Sequence, residues 1–575
     1  MFSRLSAPVS RAITPRMLKG FATAAVALAL LGCPRSRRGN GGEGGVKTAK
    51  VYYLTELKGQ IEPCGCTSDP LGDLARIAPL VGRDKRLVVD AGGALFEHTK
   101  LFEKDAPQAR LKAELVARAY RDMPVDVVGV GPEDLAAGVG AVAPGRTAEN
   151  LPQLPGVQPG RVHAVGGLKI GVFALVDAED PAMAALGATD PLAAANAAVA
   201  RLRGEGAEVV IALAHLTRAK TKQLARAARG IDFAVVGQGV ELGGAPELVG
   251  GAWVLLPAEK GQKLGQLDLH VSGARPAEGP MFADAIGPHR AADEIAQLDE
   301  RIPRLRADIQ RWAAAPDADQ QFLATKRAEL AELEARRSKL AASPLQKPER
   351  GSWFTSELTP IKKGLECAPA IVDDKRALTA KIGELNLAAA RAAGGPLPPE
   401  PGKPKYVGID ECESCHKPQV EFWKNTVHAR AWGTLEVLGK QLDRDCIGCH
   451  VTGFDEPGGT TLATQADAPL MRNVQCEMCH GPASFHVDKD GQDKPRTISL
   501  DTPEATCKGC HPPEHSDTFE YTAYLRDVLG GSEDSAAPRH GYERWKQLGA
   551  GPTGHGLRAA ALAKAGASVG KGCPK

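Results

Sequence analysis

The chain has 575 residues and a mass of 60.4 kDa, against roughly 100–200 residues per domain, so more than one domain is expected. Apolar residues make up 43%, charged residues 24%, and the formal net charge is +2, which excludes a disordered chain, a polytopic membrane protein and a broad basic field for nucleic acid. Aromatic residues are only 5%, few for a large core, so something other than side chains is expected to fill part of it.

Residues 1–20 carry Arg4, Arg11, Arg16 and Lys19 and no acid. The apolar run Phe21 to Gly32 is shorter than the about 20 residues that span a bilayer, but it fits the h-region of a secretory signal. It ends Leu30-Leu31-Gly32-Cys33, which resembles the bacterial lipobox, whose cysteine is lipidated and becomes the first mature residue. An ordinary signal peptide with a chance cysteine is the alternative. Residues 1–32 are read as a lipoprotein signal peptide and 33–48, rich in Arg, Gly and Ser, as a flexible tether. No other apolar stretch is long enough to span. The expectation is an exported protein on the periplasmic side or outer surface of a bacterial membrane, lipid-anchored through Cys33.

Residues 49–283 alternate short apolar, β-rich runs with helical segments. Val51–Leu54, Leu87–Asp90, Val125–Val130, Lys169–Val176, Val209–Leu213 and Asp232–Val236 read as strands, and Ala106–Arg121 and Thr189–Arg203 as helices. Along this α/β pattern lie Thr55-Glu56-Leu57-Lys58-Gly59-Gln60, Leu71-Gly72-Asp73-Leu74-Ala75-Arg76, Asp90-Ala91-Gly92-Gly93, Gly131-Pro132-Glu133-Asp134, Ala214-His215-Leu216 and Gly237-Gln238-Gly239-Val240. Their order resembles the 5′-nucleotidase-type metallophosphatases, a sandwich fold. The match holds at the scaffold glycines and fails at the ligands that the resemblance implies. Glu56 and Lys58 stand for the first aspartate and histidine, Gly93 for the bridging aspartate, and Pro132 and Glu133 for an asparagine and the catalytic histidine. Gln238 and Val240 stand for the last two histidines, and His215 alone survives. A two-metal hydrolase needs convergent carboxylates and imidazoles, and a lysine adds positive charge where the ions belong. Loss of phosphoesterase activity, with the scaffold kept for docking, is expected. In the loop after the first strand, Cys64-Gly65-Cys66 is either a soft-metal or redox site or an incidental pair.

Residues 284–345 read as a helical hairpin: Ile295, Leu298, Ile302, Leu305, Ile309 and Trp312 recur at three- and four-residue steps, and Leu323, Leu330, Leu333 and Leu340 resume the seam. Two amphipathic helices packed on the α/β domain are the alternative. Residues 346–393 supply a returning strand, Ser352–Ile361, and a helix, Lys375–Ala393. The Pro/Gly stretch 394–405 is an extended linker.

Residues 406–575 carry four C-x-x-C-H motifs: Cys412, Cys415, His416; Cys446, Cys449, His450; Cys476, Cys479, His480; and Cys507, Cys510, His511. Two thiols two residues apart can each form a thioether to one haem, and the next histidine lies under the iron. Chance would place about 0.007 such motifs in the chain. Zinc sites or redox cysteine pairs leave the histidine after every pair unexplained. Four covalent c-type haems are therefore expected. The chain about them is so short that the haems form the core and lie close together, as an electron wire does. Distal ligands are sought among His428, in a helical pattern Val420–Leu438, His486 and His540, with His515 and His555 behind them. Four cysteines remain, Cys64, Cys66, Cys367 and Cys573, besides Cys33, and their pairing is open.

Tyr406-Val407-Gly408, Trp423…His428-Ala429-Arg430-Ala431, His450-Val451-Thr452-Gly453-Phe454 and Val474-Gln475-Cys476-Glu477…Gly481-Pro482, taken with the motif order, resemble the tetrahaem cytochrome c-554 family, electron acceptors of hydroxylamine oxidoreductase. The resemblance implies periplasmic electron transfer between redox partner proteins, mostly bis-histidine haems, and one iron that can be five-coordinate. The fold expected is multidomain: an α/β metallophosphatase-like sandwich, a helical hairpin spacer, and a mainly α multihaem domain. An electron carrier is favoured over two alternatives, a reductase of a small nitrogen or sulfur species at an open haem and a bifunctional cytochrome and phosphoesterase.

Overall fold

A computed structural model of the chain describes residues 46–575 except 64–65, 83–84, 142–144, 240, 274, 277–278, 315–319, 343–350, 469, 531–539, 566–571 and 574–575. The N-terminal segment read as a signal peptide, with Cys33, and also Cys64 and Val240, lie outside the described residues.

Among the described residues, fourteen strands form two sheets. In chain order they are β1 (Lys47–Leu54), β2 (Arg86–Asp90), β3 (Val127–Val128), β4 (Arg146–Thr147), β5 (Val157–Gln158), β6 (Arg161–Val165) and β7 (Leu168–Val176). There follow β8 (Val209–Thr217), β9 (Phe233–Gln238), β10 (Leu242–Val249), β11 (Ala252–Ala258), β12 (Lys263–Val271), β13 (Phe282–Asp284) and β14 (Ser352–Pro360). The larger sheet runs β13-β14-β12-β1-β2-β3-β4-β5 and the smaller β10-β11-β9-β8-β7-β6. Helices of this part are α1 (Leu74–Leu80), α2 (Ala106–Asp122), α3 (Pro181–Ala185), α4 (Pro191–Gly204), α5 (Arg218–Ala227), α6 (Gly287–Ala313), α7 (Gln320–Ala342) and α8 (Pro369–Ala392).

The period of two along each strand builds the layers. Val51 and Tyr53 of β1, with Leu87 and Val89 of β2, meet Ile170, Val172, Ile211 and Phe233 of the other sheet. Tyr52 and Leu54 point the other way, onto Leu74, Leu111, Leu115, Leu378 and Ile382 of α1, α2 and α8. Phe173, Leu175 and Val210 pack against α4 and α5 through Leu202 and Leu224. The result is a helix–sheet–sheet–helix sandwich: the sequence pattern predicts α/β, and the metallophosphatase resemblance implies the sandwich. One expected strand shrinks: Val125–Val130 pairs only over β3, because Gly129 and Gly131 then press against the loop after β2. A Cβ on Gly131 would lie 2.7 Å from Gly93 N and from His215 Cε1, so only glycine fits.

Helices α6 and α7 lie antiparallel, with Leu298, Ile302, Ile309 and Leu323 buried, Trp312 edge-on to Phe322, and ion pairs Arg301–Glu329 and Arg337–Asp299 across the seam. Strand β14 pairs antiparallel with β12, from Lys263 opposite Pro360 to His270 opposite Trp353. A disulfide joins Cys367, just before α8, to Cys573 near the C-terminus.

Beyond residue 405 the chain folds as short helices around a small apolar cluster, Trp432, Ile447, Val451 and Leu462. No described helix is long and apolar enough to cross a membrane.

Candidate functional site

The phosphatase-like cleft lies where β1, β2, β8 and β9 end. The structure brings Glu56, Lys58, Glu133 and His215 together there, beside Gly93. Lys58 Nζ lies 2.6 Å from Glu259 Oε2 and 3.5 Å from Glu56 Oε1, and Gly239 N donates to Glu56 Oε2 at 3.2 Å. His215 is fully buried; its Nδ1 is 3.2 Å from the Ala91 carbonyl and its Nε2 is 3.5 Å from Glu133 Oε2. Burial raises the Glu56 carboxyl above its ordinary value despite Lys58 and His215. For Lys58 burial acts downward, but the Glu259 and Glu56 carboxylates outweigh it and hold the ammonium above its ordinary value. At Gly93 a Cβ would sit 3.1 Å from His215 Cε1 and 3.3 Å from Glu56 Cγ, leaving little room for a bridging aspartate. Among the described residues no group of three or more histidine, cysteine or carboxylate side chains is assembled for a metal. The donor set does not fit a dimetal centre; the ammonium of Lys58 is the counter-ion of this cleft.

The motif histidines are built differently. Helix α9 (Ile409–Lys424) carries the first motif and kinks at His416 (φ −115°, ψ 36°), two residues before Pro418. The second motif begins within the turn Arg444–Ile447, the third is the helix Cys476–His480, and the fourth begins within Glu504–Lys508. Four of the histidine rings are oriented through Nδ1: His450 toward the Ala431 carbonyl at 2.7 Å, His480 toward the Ser499 carbonyl at 2.6 Å, His511 toward Ser516 Oγ at 3.1 Å, and His486 toward Asp493 Oδ1 at 3.1 Å. Such a bond directs Nε2 at a metal.

Two pairs of rings face each other. His416 and His486 have centres 6.4 Å apart with planes 21° from parallel, and His428 and His511 centres 6.3 Å apart. A metal–imidazole bond is about 2 Å and the ring centre lies about 1.1 Å beyond, so two rings on opposite faces of one iron have centres about 6.2 Å apart. The residues present therefore fit a six-coordinate haem iron at the first and fourth motifs. Burial lowers the His428 imidazole below its ordinary value, and burial, with His428, pushes His511 down to about 4. Both are neutral at pH 7, the form that binds metal.

His428 does not sit in the continuous helix expected over Val420–Leu438. Helix α9 stops at Lys424, a tight turn spans His428–Arg430, and a new helix covers Ala431–Glu436. Local side-chain bonds compete with the helix here: Asn425 Nδ2 donates to the Glu421 carbonyl at 2.9 Å and Thr426 Oγ1 to the Trp423 carbonyl at 2.8 Å. Val474 N then bonds the His428 carbonyl at 3.2 Å, which fastens this turn to the segment before the third motif. His540 begins the helix His540–Leu548, and its side chain lies outside the described ones. His555 is exposed, and its backbone N donates to Asp527 Oδ2 at 2.5 Å. Cys66 is exposed, and its carbonyl accepts from Arg558 at 2.8 Å.

The thiols order the motifs in space. Cys412 is raised by a hydrogen bond with Cys476 and by burial; Cys510 is raised by Cys449 and burial; Cys479, pushed up to about 11 by burial, also senses Cys507. The motifs thus run first–third–fourth–second. Gln475 and Glu477, which in sequence carry only a family resemblance, are the residues that fasten this order. Glu477, buried inside the third motif, accepts from Val407 N at 3.0 Å, Gly408 N at 2.8 Å and Ala483 N at 2.9 Å. Gln475 accepts from Ile409 N at 2.8 Å. The signal available was a carboxylate within a motif whose spacing asks nothing of that position.

The second motif ends the run against the α/β part. Asp443, buried, caps its turn by accepting from Asp445 N at 3.1 Å and receives Gln108 Nε2 at 2.6 Å from α2. Gln108 Oε1 accepts from Asn386 of α8 at 2.7 Å and from Arg444 N at 3.2 Å. Lys112 Nζ lies 3.7 Å from Asp443 and pairs with Asp445, while Lys440 reaches Glu62 at 2.6 Å.

A family model described as cytochrome c554 and c-prime matches residues 411–481, the first three motifs. The haem-motif region is cytochrome c554-like. Cytochrome c-554 of Nitrosomonas europaea is 38% identical over 105 residues, 15% of this chain and 44% of that relative, so the match spans under half of the relative's length. The reduced-state structure of the N. europaea cytochrome c554 is 25% identical with a TM-score of 0.20, covering 26% of this chain and 99% of that one. For the α/β part, the 5′-nucleotidase precursor of Thermus thermophilus is 20% identical with a TM-score of 0.33, covering 39% of this chain and 52% of that one. Both resemblances read from the motifs, c554-like at the C-terminal side and metallophosphatase-like at the N-terminal side, are those that the comparisons return.

Proposed function

We propose that this protein is an exported, lipid-anchored multihaem c-type cytochrome that carries electrons between redox partner proteins through four covalently attached haems. The observation that carries this reading is the two pairs of facing imidazoles, His416 with His486 and His428 with His511, each at the separation one iron between them requires. Bound haem supplies a one-electron couple at each motif. This chain's own part is to supply thioether sulfurs from Cys412, Cys415, Cys446, Cys449, Cys476, Cys479, Cys507 and Cys510, and proximal imidazoles from His416, His450, His480 and His511. It also packs the motifs in one run. His486 and His428 are the distal bases of the first and fourth motifs, and His540 is the candidate for one of the others. The α/β part serves as a docking body without hydrolytic chemistry, since Lys58 fills the cleft between Glu56 and Glu259. Anchoring falls to Cys33.

Denaturing mass spectrometry of the mature holoprotein tests the reading. Four haem masses on the chain are expected, one on each motif peptide. Unmodified Cys446 and Cys449 in the assembled protein would refute the count, and a chain without any haem would refute the function.

A further inference from the structure

The approach segment of the second motif is held by residues of the α/β part. Residues 440–445 are gripped from three directions: by Glu62 after β1, by Gln108 and Lys112 of α2, and by Asn386 of α8, whose Nδ2 donates to the Leu442 carbonyl at 2.9 Å. Gln108 is 1% exposed, Asn386 3% and Asp443 4%, so this is a dry polar joint and not a rim of solvated charges. Two cations of the joint flank Asp443, which caps the turn carrying Cys446: Lys440 Nζ lies 3.5 Å and Lys112 Nζ 3.7 Å from Asp443 Oδ2. Lys112 is the cation that comes from the α/β part, and its side chain is only 16% exposed.

We propose that the phosphatase-like part is an electrostatic clamp on the second haem-attachment site, with Lys112 as the positioning residue that sets the potential there. The inference rests on the cytochrome reading above and deepens it. A buried ammonium favours the state with one more electron, because Coulomb energies are large where water is excluded. Removing it leaves Asp445 without its Lys112 cation and Asp443 with Lys440 alone, which disfavours reduction. The same joint gives a sandwich with an incomplete metal-ligand set a role: its helices α2 and α8 hold the approach to the second motif.

The test uses the full-length holoprotein. Denaturing mass spectrometry first establishes haem on Cys446 and Cys449; its absence there overturns the cytochrome reading itself and is decided before any potential is measured. Redox titration followed by visible absorption and EPR then compares wild type, Lys112→Gln, Lys112→Arg and Asp445→Asn. In Lys112→Gln the reduction equilibrium of one haem should fall about tenfold, ~59 mV for a one-electron couple, with the others moving less. Lys112→Arg should restore it. Asp445→Asn, at a side chain that is 57% exposed and safe for folding, should raise the potential of the same haem. Unchanged potentials in fully haem-loaded Lys112→Gln overturn the clamp, and equal shifts in the Gln and Arg variants overturn the role of the charge. If Lys112→Gln does not accumulate, Asp445→Asn decides alone: no rise in one potential overturns the proposal.

Discussion

His486 stands opposite His416 because Asp493, fully buried at its side chain, holds its Nδ1 and in turn accepts from Thr497 Oγ1 at 2.8 Å. A ligand oriented by a carboxylate is a stronger and better aimed base than a free ring. His486→Ala should leave all covalent attachments in place and convert one low-spin haem to high-spin, a change visible in low-temperature EPR of the oxidised protein. An unaltered low-spin spectrum would show that His486 is no ligand. Both His428 and His486 stand out in the sequence only as histidines near haem motifs. Which motif each one faces was not legible there, because the pairing joins the first motif to a residue after the third, and the fourth to a residue after the first. Spacing carries no information about such long-range pairings.

Glu62, in the loop after β1, makes the joint between the two parts depend on acidity. Burial acts to raise its carboxyl, but Lys440 at 2.6 Å and Lys375 at 3.3 Å outweigh burial and hold it below its ordinary value of 4.5. A carboxyl depressed by folding contributes stability above its unfolded value and loses it as pH falls through the folded one. Wild type should therefore lose this contribution only below about pH 4.5. Glu62→Gln should melt lower at pH 7 by an amount equivalent to about 1 kcal/mol, and its melting temperature should fall less between pH 7 and pH 4. Parallel melts at the two pH values check both statements. Among the elements, β1, β2, β7, β8 and β9 are legible as short β-branched runs. Strand β12 is equally regular over Leu267, Leu269 and Val271, which alternate inward, yet the adjacent buried pair Leu264 and Gly265 at its start obscured the period of two. The joint itself was not legible. Gln108, Asn386 and Asp443 are ordinary polar residues in sequence, and only the fold removes them from water.

For the molecule as a whole, the α/β sandwich and the c554-like region form one compact body over residues 45–575. The proposed attachment to a membrane rests on Cys33, and no described helix is long and apolar enough to cross one. Cys33→Ser should shift the protein from the membrane to the soluble fraction or stall its processing; normal maturation with membrane retention would remove the lipobox reading. The bond between Cys367 and Cys573 has a topological consequence. It closes a hoop of chain whose ends are 206 residues apart in sequence, and the whole haem-bearing region lies inside that hoop. A protease that cuts the exposed segment 394–403 severs the backbone without parting the pieces. The haem-bearing fragment stays covalently fastened to the sandwich until a reductant opens the sulfur bridge.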